Sequence, residues 1–401
     1  MHVQPFEIRI PEATLQDLKR RLARTRWIDE IVGSDWAYGA KLSYVKELKD
    51  YWQNHFDWRA QEETINSFAN FRVEVDGFGI HFIHERGKGP APFPLIITHG
   101  WPGSFVEMLK LIPLLTDPVR YGADASDAFD VVIPSMPGFG FSDRSAQPGM
   151  NVWRIADLWA ELMSGLGYEQ FGAQGGDFGA GVSTILGLNY PARLTGIHLN
   201  YIPGSYRPDL SPGTADLSEA EQQFMRDADT WYELEGGYSH QQRTKPQTLA
   251  YGLNDSPAGL MAWIVEKFQA WADCAGEVER RFTKDELLIN VMIYWVTETI
   301  SSSMRLYYEG RLAPLHFQPK QFVSVPCGIA HFPLEAPFPP RCWIERGYNV
   351  QRWTEMPQGG HFAALEEPQL LAEDIRAFFR PLRELHQHSH FQLPIRINGA
   401  Q

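Results

Sequence analysis

The most constraining feature of the sequence is the segment Gly175-Gly176-Asp177-Phe178-Gly179. It follows a short run at 168–174 that is typical of a buried strand, and it precedes a run at 180–188 that begins like a helix. Small residues two places before and two places after a central reactive residue permit a very tight turn between strand and helix. This turn, a nucleophile elbow, presents one side chain to a pocket. The usual occupant is Ser, whereas here it is Asp177.

A carboxylate at this position limits the chemistry. Attack on an ester or amide carbonyl would give an anhydride, whereas attack on an sp3 carbon with a leaving group gives an ordinary ester that water can cleave. Asp177 therefore indicates opening of a C–O or C–halogen bond through a covalent alkyl ester. The alternative for these five residues in isolation is a loop Asp that caps a helix, since Asp is a favourable N-cap residue.

The composition limits the partners and the compartment. The chain has 401 residues, 44% of them apolar, and a formal net charge of −13. This acidic balance without a basic run argues against a nucleic-acid partner. Three widely spaced cysteines, Cys274, Cys327 and Cys342, favour a reducing compartment without a disulfide framework. Because no signal-peptide pattern and no stretch of about 20 apolar residues is present, we expect a cytoplasmic protein without a membrane anchor.

Residues 1–70 are predicted to be an N-terminal helical extension, because Leu15, Leu18 and Leu22 recur on one helical face. A β-hairpin is predicted around Asp76-Gly77. Residues 71–204 are then interpreted as the first part of an α/β core, because apolar strands end in Gly- or Pro-rich loops that precede helix-like runs. This alternation predicts a mostly parallel sheet with helices on both faces and with ligand-binding loops at the carboxyl ends of its strands.

The pattern changes over residues 205–316, which hold helical runs at 219–234, 259–271 and 284–308 but no evident core strand. We interpret this segment as an inserted helical cap. The strand pattern returns near 321–326 and 347–356, and a final amphipathic helix follows, so residues 317–401 are predicted to be the second part of the core and a tail. In that tail His386, His388 and His390 alternate, and we interpret them as a solvated tail rather than a metal site.

An elbow nucleophile requires a base and an acid that orients the base, in the chain order nucleophile, acid, histidine. His361 lies in a Gly-flanked loop between a predicted strand and a helix, so it is the predicted base. The acid is predicted to be Glu335, which lies just past a predicted strand. Glu345 and Glu355 are weaker candidates because they lie in or beside a helix and a strand, and an exposed salt bridge is the alternative role for Glu335.

Two kinds of hydrogen-bond donor complete the predicted site. The backbone N–H groups of Trp101 and Phe178 are predicted to form the oxyanion hole for the ester carbonyl. Opening of an epoxide also requires a donor for the departing alkoxide, and a phenol is suited because it keeps its O–H at neutral pH. The predicted cap offers Tyr238 and Tyr307, but the residues alone do not single these two out from 15 tyrosines.

Together these residues resemble the epoxide hydrolases of the α/β-hydrolase fold, in particular the microsomal-type branch with its N-terminal helical segment. The likeness extends over about residues 5–382. It is carried by two core loops, three parts of the cap and the histidine loop: 99–105 (HGWPGSF), 137–142 (PGFGFS), 244–246 (TKP), 253–257 (LNDSP), 266–268 (EKF) and 359–368 (GGHFAALEEP).

The resemblance implies a role for each candidate. Asp177 matches the nucleophile, Glu335 the acid and His361 the base. Tyr238 matches the first cap tyrosine and Tyr307 the second, with Tyr308 as a neighbouring alternative to the second.

One departure from the family pattern is Phe178, where the family usually has Trp. A backbone donor survives that change, so hydrolysis is still expected, and the smaller ring leaves room for a larger pocket. The N-terminal hydrophobic helix of the membrane-anchored members has no counterpart in this sequence, which implies a soluble enzyme.

The resemblance therefore implies a cofactor-free hydrolase that acts with water on an epoxide. The many aromatic residues of the sequence suggest an apolar, aryl-type substrate; a homodimer is left open. A haloalkane dehalogenase uses the same Asp chemistry, but it commonly needs an indole N–H beside the nucleophile, which Phe178 does not offer. A non-catalytic small-molecule-binding protein on the same fold would have no need for an Asp, a Glu and a His together.

Overall fold

The computed structural model describes residues 1–211 and 216–389. Its centre is one nine-stranded sheet with the strand order β1-β2-β3-β5-β4-β6-β7-β8-β9. The strands are β1 Gln4–Pro5, β2 Asn70–Val75, β3 Phe78–Glu85, β4 Phe93–Thr98, β5 Phe129–Pro134, β6 Phe171–Gly175, β7 Leu194–Leu199, β8 Val323–His331 and β9 Tyr348–Glu355.

Strand pairing in the sheet changes from antiparallel to parallel at β5. Strands β1, β2, β3 and β5 pair antiparallel, and all pairs from β5 through β4, β6, β7 and β8 to β9 are parallel. The predicted hairpin is confirmed: β2 and β3 meet at Asp76 and Gly77, whose φ values of 44° and 79° suit the tight turn that follows the twist of the strands. The predicted mostly parallel sheet is therefore confirmed.

Helices pack on the sheet in two groups. Helix α5 packs against α6 and α4 packs against α15, and both α6 and α15 contact the central strands. The helices are α1 Glu12–Ala23, α2 Leu42–Asn54, α3 Trp58–Asn66, α4 Leu111–Thr116, α5 Val152–Gly165, α6 Asp177–Asn189, α7 Glu219–Glu235, α8 Gly237–Thr244, α9 Pro246–Asp255, α10 Pro257–Trp271, α11 Lys284–Thr297, α12 Ile300–Leu312, α13 Arg341–Glu345, α14 Ala363–Glu366 and α15 Pro368–Ser389.

The helices before β2 follow the apolar spacing of the sequence. Leu15, Leu18 and Leu22 are buried on one face of α1, and Pro11 directly precedes that helix, where a missing N–H does no harm. Two further helices, α2 and α3, follow α1 before the first residue of β2. The interpretation of residues 1–70 as a separate extension stays a prediction.

Between β7 and β8 the described residues form six helices, α7 to α12, and an isolated bridge between Arg207 and His316. The predicted run at 284–308 is wrong as a single helix. It is divided into α11 and α12 at Glu298, whose φ of 53° is incompatible with a continuing right-handed helix. The division of the chain into cap and core at residues 205 and 316 stays a prediction.

The end of α15 overlaps the predicted tail. This helix continues to Ser389, so the backbone is helical at 386 and 388, while His390 lies outside the described residues. Over the described part of the chain, no helix combines the length and the apolar character needed to span a membrane.

Candidate active site

The turn between β6 and α6 requires the glycines that surround Asp177. A Cβ on Gly175 would lie 2.2 Å from the backbone of Gly179, and a Cβ on Gly179 would lie 1.9 Å from the carbonyl oxygen of Thr98. Asp177 itself has a φ of 47°, in the left-handed region that L-residues rarely adopt. Backbone strain of this kind is typical of functional sites, and here it fixes the direction of the Asp177 side chain.

The carboxylate of Asp177 contacts the loop that follows β4. Its Oδ1 accepts a hydrogen bond of 2.9 Å from the backbone N–H of Trp101. Burial raises the pKa of Asp177, while His361 and the backbone N–H groups of Trp101 and Phe178 oppose that rise. Gly100 makes the approach possible, because a Cβ there would lie 2.3 Å from the Cβ of Asp177. Both predicted oxyanion donors therefore contact the same carboxylate.

His361 lies between two carboxylates. Its Nδ1 is 2.9 Å from Oε2 and 3.0 Å from Oε1 of Glu335, and its Nε2 is 3.7 Å from Oδ2 of Asp177. Glu335 follows β8 and is only 4% exposed, so it is not a surface salt-bridge residue. The structure thus brings together the three residues that the sequence predicts as nucleophile, base and acid.

The loop that carries His361 is held by its backbone. The N–H of His361 donates to the carbonyl of Trp271, and a Cβ on Gly360 would lie 2.5 Å from that same oxygen. The buried Glu366 accepts backbone hydrogen bonds of 3.0 Å from Gly360 and 2.9 Å from Phe362. These contacts fix the imidazole on a short loop after β9.

The charges around His361 decide its protonation. Burial alone would lower the pKa of His361, but Glu335, Asp177 and Glu107 outweigh burial and raise it to about 9. Burial raises the pKa of Glu335, and the neighbouring His361 opposes that rise. At neutral pH the imidazole of His361 is therefore protonated in the free site. Loss of the negative charge on Asp177 removes one of the three groups that raise the pKa of His361.

Tyr238 and Tyr307 face this carboxylate from α8 and α12. The two phenols are hydrogen-bonded to each other, and burial raises both pKa values well above the ordinary range, with Asp177 acting in the same direction. Both therefore keep their O–H protons at neutral pH and can act as donors. Tyr308 lies elsewhere, with its ring beside the guanidinium of Arg311 at 5.1 Å.

Aromatic rings hold the two tyrosines in place. The indole of Trp101 stacks on Tyr238 with ring centroids 5.5 Å apart and an interplanar angle of 6°. The ring of Phe178 packs edge-on against Tyr307 at 4.8 Å, and Trp271 contacts Tyr238 at 5.0 Å. These rings form an aromatic wall around the paired phenols beside the nucleophile.

Comparison with known proteins identifies the family of the chain. Residues 3–108 match the model of the epoxide hydrolase N terminus, and residues 94–235 match the model of the alpha/beta hydrolase fold. The chain is 39% identical to epoxide hydrolase 1 of Oryctolagus cuniculus over 401 residues, covering 94% of this chain and 88% of that protein. The chain belongs to the epoxide hydrolase family.

Further relatives of this epoxide hydrolase agree in sequence and structure. A protein of Stigmatella aurantiaca whose name assigns it provisionally to the epoxide hydrolases is 47% identical over 382 residues, covering 95% of this chain and 86% of that protein. The crystal structure of juvenile hormone epoxide hydrolase from Bombyx mori superimposes with a TM-score of 0.82 at 31% identity, covering 96% of this chain and 95% of that chain. The resemblance and the predicted α/β-hydrolase fold are therefore confirmed.

Sequence reasoning missed several residues of this epoxide hydrolase site. Trp271 does not stand out from the sequence because the backbone N–H that it binds, that of His361, is distant along the chain. Glu366 lies within the histidine loop segment 359–368, but its role depends on backbone N–H groups of that loop and of the distant Asp273. Glu107 is a buried carboxyl in the 3-10 turn Phe105–Met108. The sequence could have identified Glu107 as a site residue, because it comes two residues after the HGWPGSF segment that supplies an oxyanion donor.

Proposed function

We propose that the protein hydrolyses an apolar epoxide to a vicinal diol through a covalent ester on Asp177. The single observation that supports this most is the position of the Asp177 carboxylate. It contacts an oxyanion donor at 2.9 Å, lies 3.7 Å from Nε2 of His361 and faces two protonated phenols. This is a set of groups for attack on carbon, for release of an alkoxide and for hydrolysis of an ester.

In the first step, an oxygen of Asp177 forms a bond to an epoxide carbon and the C–O bond of the ring breaks. The alkoxide takes a proton from the hydrogen-bonded pair Tyr238 and Tyr307. The product is a hydroxyalkyl ester of Asp177, so the carboxylate loses its charge. The aromatic wall formed by Trp101, Phe178 and the two tyrosines supports an apolar substituent on the epoxide.

In the second step, water attacks the carboxyl carbon of Asp177 and gives a proton to His361. Esterification has already removed the charge of Asp177, so the pKa of His361 falls. The imidazolium releases its proton to solvent, and the neutral imidazole is the base; the ring takes up a proton from solvent again when the charge of Asp177 is restored. Glu335 orients the ring and stabilises the imidazolium that forms. The N–H groups of Trp101 and Phe178 bind the oxyanion.

The ester then breaks at its acyl C–O bond. The leaving diol oxygen takes the proton from His361, and the carboxyl group of Asp177 is regenerated with one oxygen from water. The proton left on that carboxyl ionises and replaces the proton that the tyrosine pair gave to the alkoxide. The sum of both steps is the addition of water to an epoxide, carried out by side chains and water.

The test is a single-turnover reaction with styrene oxide in oxygen-18 water and with enzyme in excess. Label is expected in the peptide that contains Asp177, with unlabelled diol as the first product. The peptide that contains Asp374, another buried aspartate, is the internal control and stays unlabelled. Label that appears directly in the diol would show that water attacks the epoxide itself, and the role given to Asp177 would fail.

A further inference from the structure

Glu107 is a buried carboxyl that the two proposed steps do not use. It is 7% exposed and lies in the 3-10 turn that follows the Trp101 loop. Its side chain folds back over Gly103, since a Cβ at that glycine would lie 1.3 Å from Oε1 of Glu107. The glycine therefore leaves the space that the carboxyl group occupies.

This carboxyl faces a small cavity next to the nucleophile. The cavity has a volume of about 20 Å³ for the centre of a water molecule, and Asp177, His361 and Glu107 all line it. A site of about 10–15 Å³ by this measure is enough for one water, and a water needs two to four polar partners. Tyr238 and Tyr307 are not among the described residues that line this cavity. The cavity therefore suits water and lies apart from the donors for the alkoxide.

We propose that Glu107 holds the hydrolytic water in this cavity, so that one hydrogen of the water points to Glu107 and the oxygen lies against the ester carbon of Asp177. The inference deepens the proposed function and rests on it. His361 takes the other hydrogen as the O–C bond forms. Glu107 accepts a hydrogen bond throughout and neither gains nor loses a proton in the step.

The electrostatics of the site leave Glu107 an acceptor for water throughout the reaction. Burial raises the pKa of Glu107 to about 8; His361 opposes that rise, whereas the negative charge of Asp177 adds to it. Ester formation removes the charge of Asp177 and then that of His361, and these two losses act on the pKa of Glu107 in opposite directions. A carboxyl group offers an acceptor oxygen in its neutral and in its ionised form. Glu107 therefore accepts a hydrogen bond from the water in either protonation state.

Buried glutamates with a structural role have different surroundings. Glu62 accepts hydrogen bonds from the backbone of Ile10 at 2.6 Å and from the indole of Trp58 at 2.8 Å, and it pairs with Arg59. Both oxygens of Glu366 accept from backbone N–H groups. Glu107 instead accepts one backbone bond, from Ser104, and borders the cavity. Its surroundings thus leave room for a bound water.

The experiment separates the two steps in the full chain. Wild type, Glu107→Gln and Glu107→Leu are mixed with styrene oxide, quenched at intervals, and assayed for ester on Asp177 and for diol. Glu62→Gln is the matched control, since it changes a buried glutamate that is not among the described residues lining the cavity. Thermal unfolding reports whether each variant is folded, and steady-state kcat and KM are measured in parallel.

Ester formation is expected to change by less than about twofold in both Glu107 variants. Hydrolysis is expected to fall about tenfold in Glu107→Gln, which keeps an acceptor oxygen, and about a hundredfold in Glu107→Leu, because a displaced nucleophile loses its alignment. KM falls together with kcat as ester accumulates, and Glu62→Gln resembles the wild type in both steps.

Equal losses in both steps, or no loss of hydrolysis in a folded Glu107→Leu, would overturn the role of Glu107 and leave the proposed function intact. If Glu107→Gln does not fold, the test is the ratio of ester formation to ester hydrolysis in Glu107→Leu, compared with the same ratio in the wild type. A wild type that makes diol without any ester on Asp177 would overturn both proposals.

Discussion

His198 is buried and the side chain of His361 is only 10% exposed, and each contacts a carboxylate at 2.9 Å. His361 lies on a loop after the carboxyl end of β9, next to the turn that carries Asp177. His198 lies within β7 and contacts Asp374 of α15. By distance alone the two pairs are equivalent, so the difference between them lies in what surrounds each carboxylate.

Both carboxylate oxygens of Asp374 accept hydrogen bonds from neighbouring side chains. The oxygen that does not contact His198 accepts hydrogen bonds from Arg352 at 2.6 Å and from Thr354 at 2.7 Å. Burial alone would raise the pKa of Asp374, but the bonds from His198, Arg352 and Thr354 outweigh burial and lower it to about 2. Asp374 therefore connects β7 and β9 with α15 through hydrogen bonds to His198 and Thr354 and an ion pair with Arg352.

In the pair of His361 and Glu335, the surrounding charges instead raise the pKa of the histidine. Three carboxyl groups surround the ring, the pKa of His361 is raised to about 9, and a small cavity adjoins it. A histidine–carboxylate contact thus indicates function only when the second ring nitrogen faces a reactive group and space for a substrate.

The largest effect is expected from Asp177→Ala. Turnover of styrene oxide should fall on the order of 10⁴-fold or more, because no covalent ester can form. Asp374→Asn, the matched change in the other pair, should retain turnover within about tenfold when corrected for the folded fraction. Diol formation measured by chromatography checks both. Comparable losses in the two variants would contradict the distinction between the pairs.

A smaller but more specific effect is expected from His361→Gln. Ester should form and accumulate, while its hydrolysis slows on the order of 10³-fold, because the general base is missing. Mass spectrometry of the intact protein after mixing with epoxide detects the adduct. His198→Gln should show no accumulated adduct, and adduct in both variants or in neither would argue against the assigned roles.

The pH dependence of unfolding should separate the pairs on the alkaline side. The pKa of His361 is about 9 in the folded chain against 6.5 ordinarily, so its stabilising contribution is complete below about pH 6.5 and is lost as the pH rises through about 9. This amounts to at most about 3 kcal/mol. Chemical denaturation should show a steeper alkaline decline for wild type than for His361→Gln. Parallel pH curves would refute this.

The Asp374 pair should respond on the acidic side. The pKa of Asp374 is about 2 in the folded chain against 3.8 ordinarily, so its contribution is present above about pH 4 and is lost as the pH falls toward about 2. The expected loss is about 2 kcal/mol. Denaturation of wild type and Asp374→Asn between about pH 5 and pH 2.5 measures it. If the variant loses stability with the same acid dependence, Asp374 is not the titrating group.

Local rules were enough for the parts of the site that depend on neighbours in sequence. The glycines around Asp177 predict the elbow because the turn itself requires them, and the Gly-flanked His361 follows from chain order. Glu335 could be selected because it follows the end of a strand. The resemblance to a family then singled out Tyr238 and Tyr307, which periodicity could not do.

Other features depend on contacts between distant segments. Glu107 gains its environment from burial beside Asp177 and His361, and its own stretch of sequence marks it only by its place two residues after the HGWPGSF segment. The break between α11 and α12 at Glu298 was missed because neither Gly nor Pro marks it. No local rule predicts that Asp374 is satisfied by Arg352 and Thr354, since α15 and β9 meet only in the folded chain.

Trp101 contacts the predicted nucleophile through its backbone and the two predicted tyrosine donors through its side chain. Its backbone N–H contacts Asp177, and its indole stacks face to face on Tyr238 at 5.5 Å while Tyr307 approaches its edge at 5.7 Å. The emission of an indole depends on the polarity and charge of its immediate surroundings. Formation and loss of the Asp177 ester should therefore change the intrinsic fluorescence of the protein, so that the chain carries its own optical reporter of each turnover.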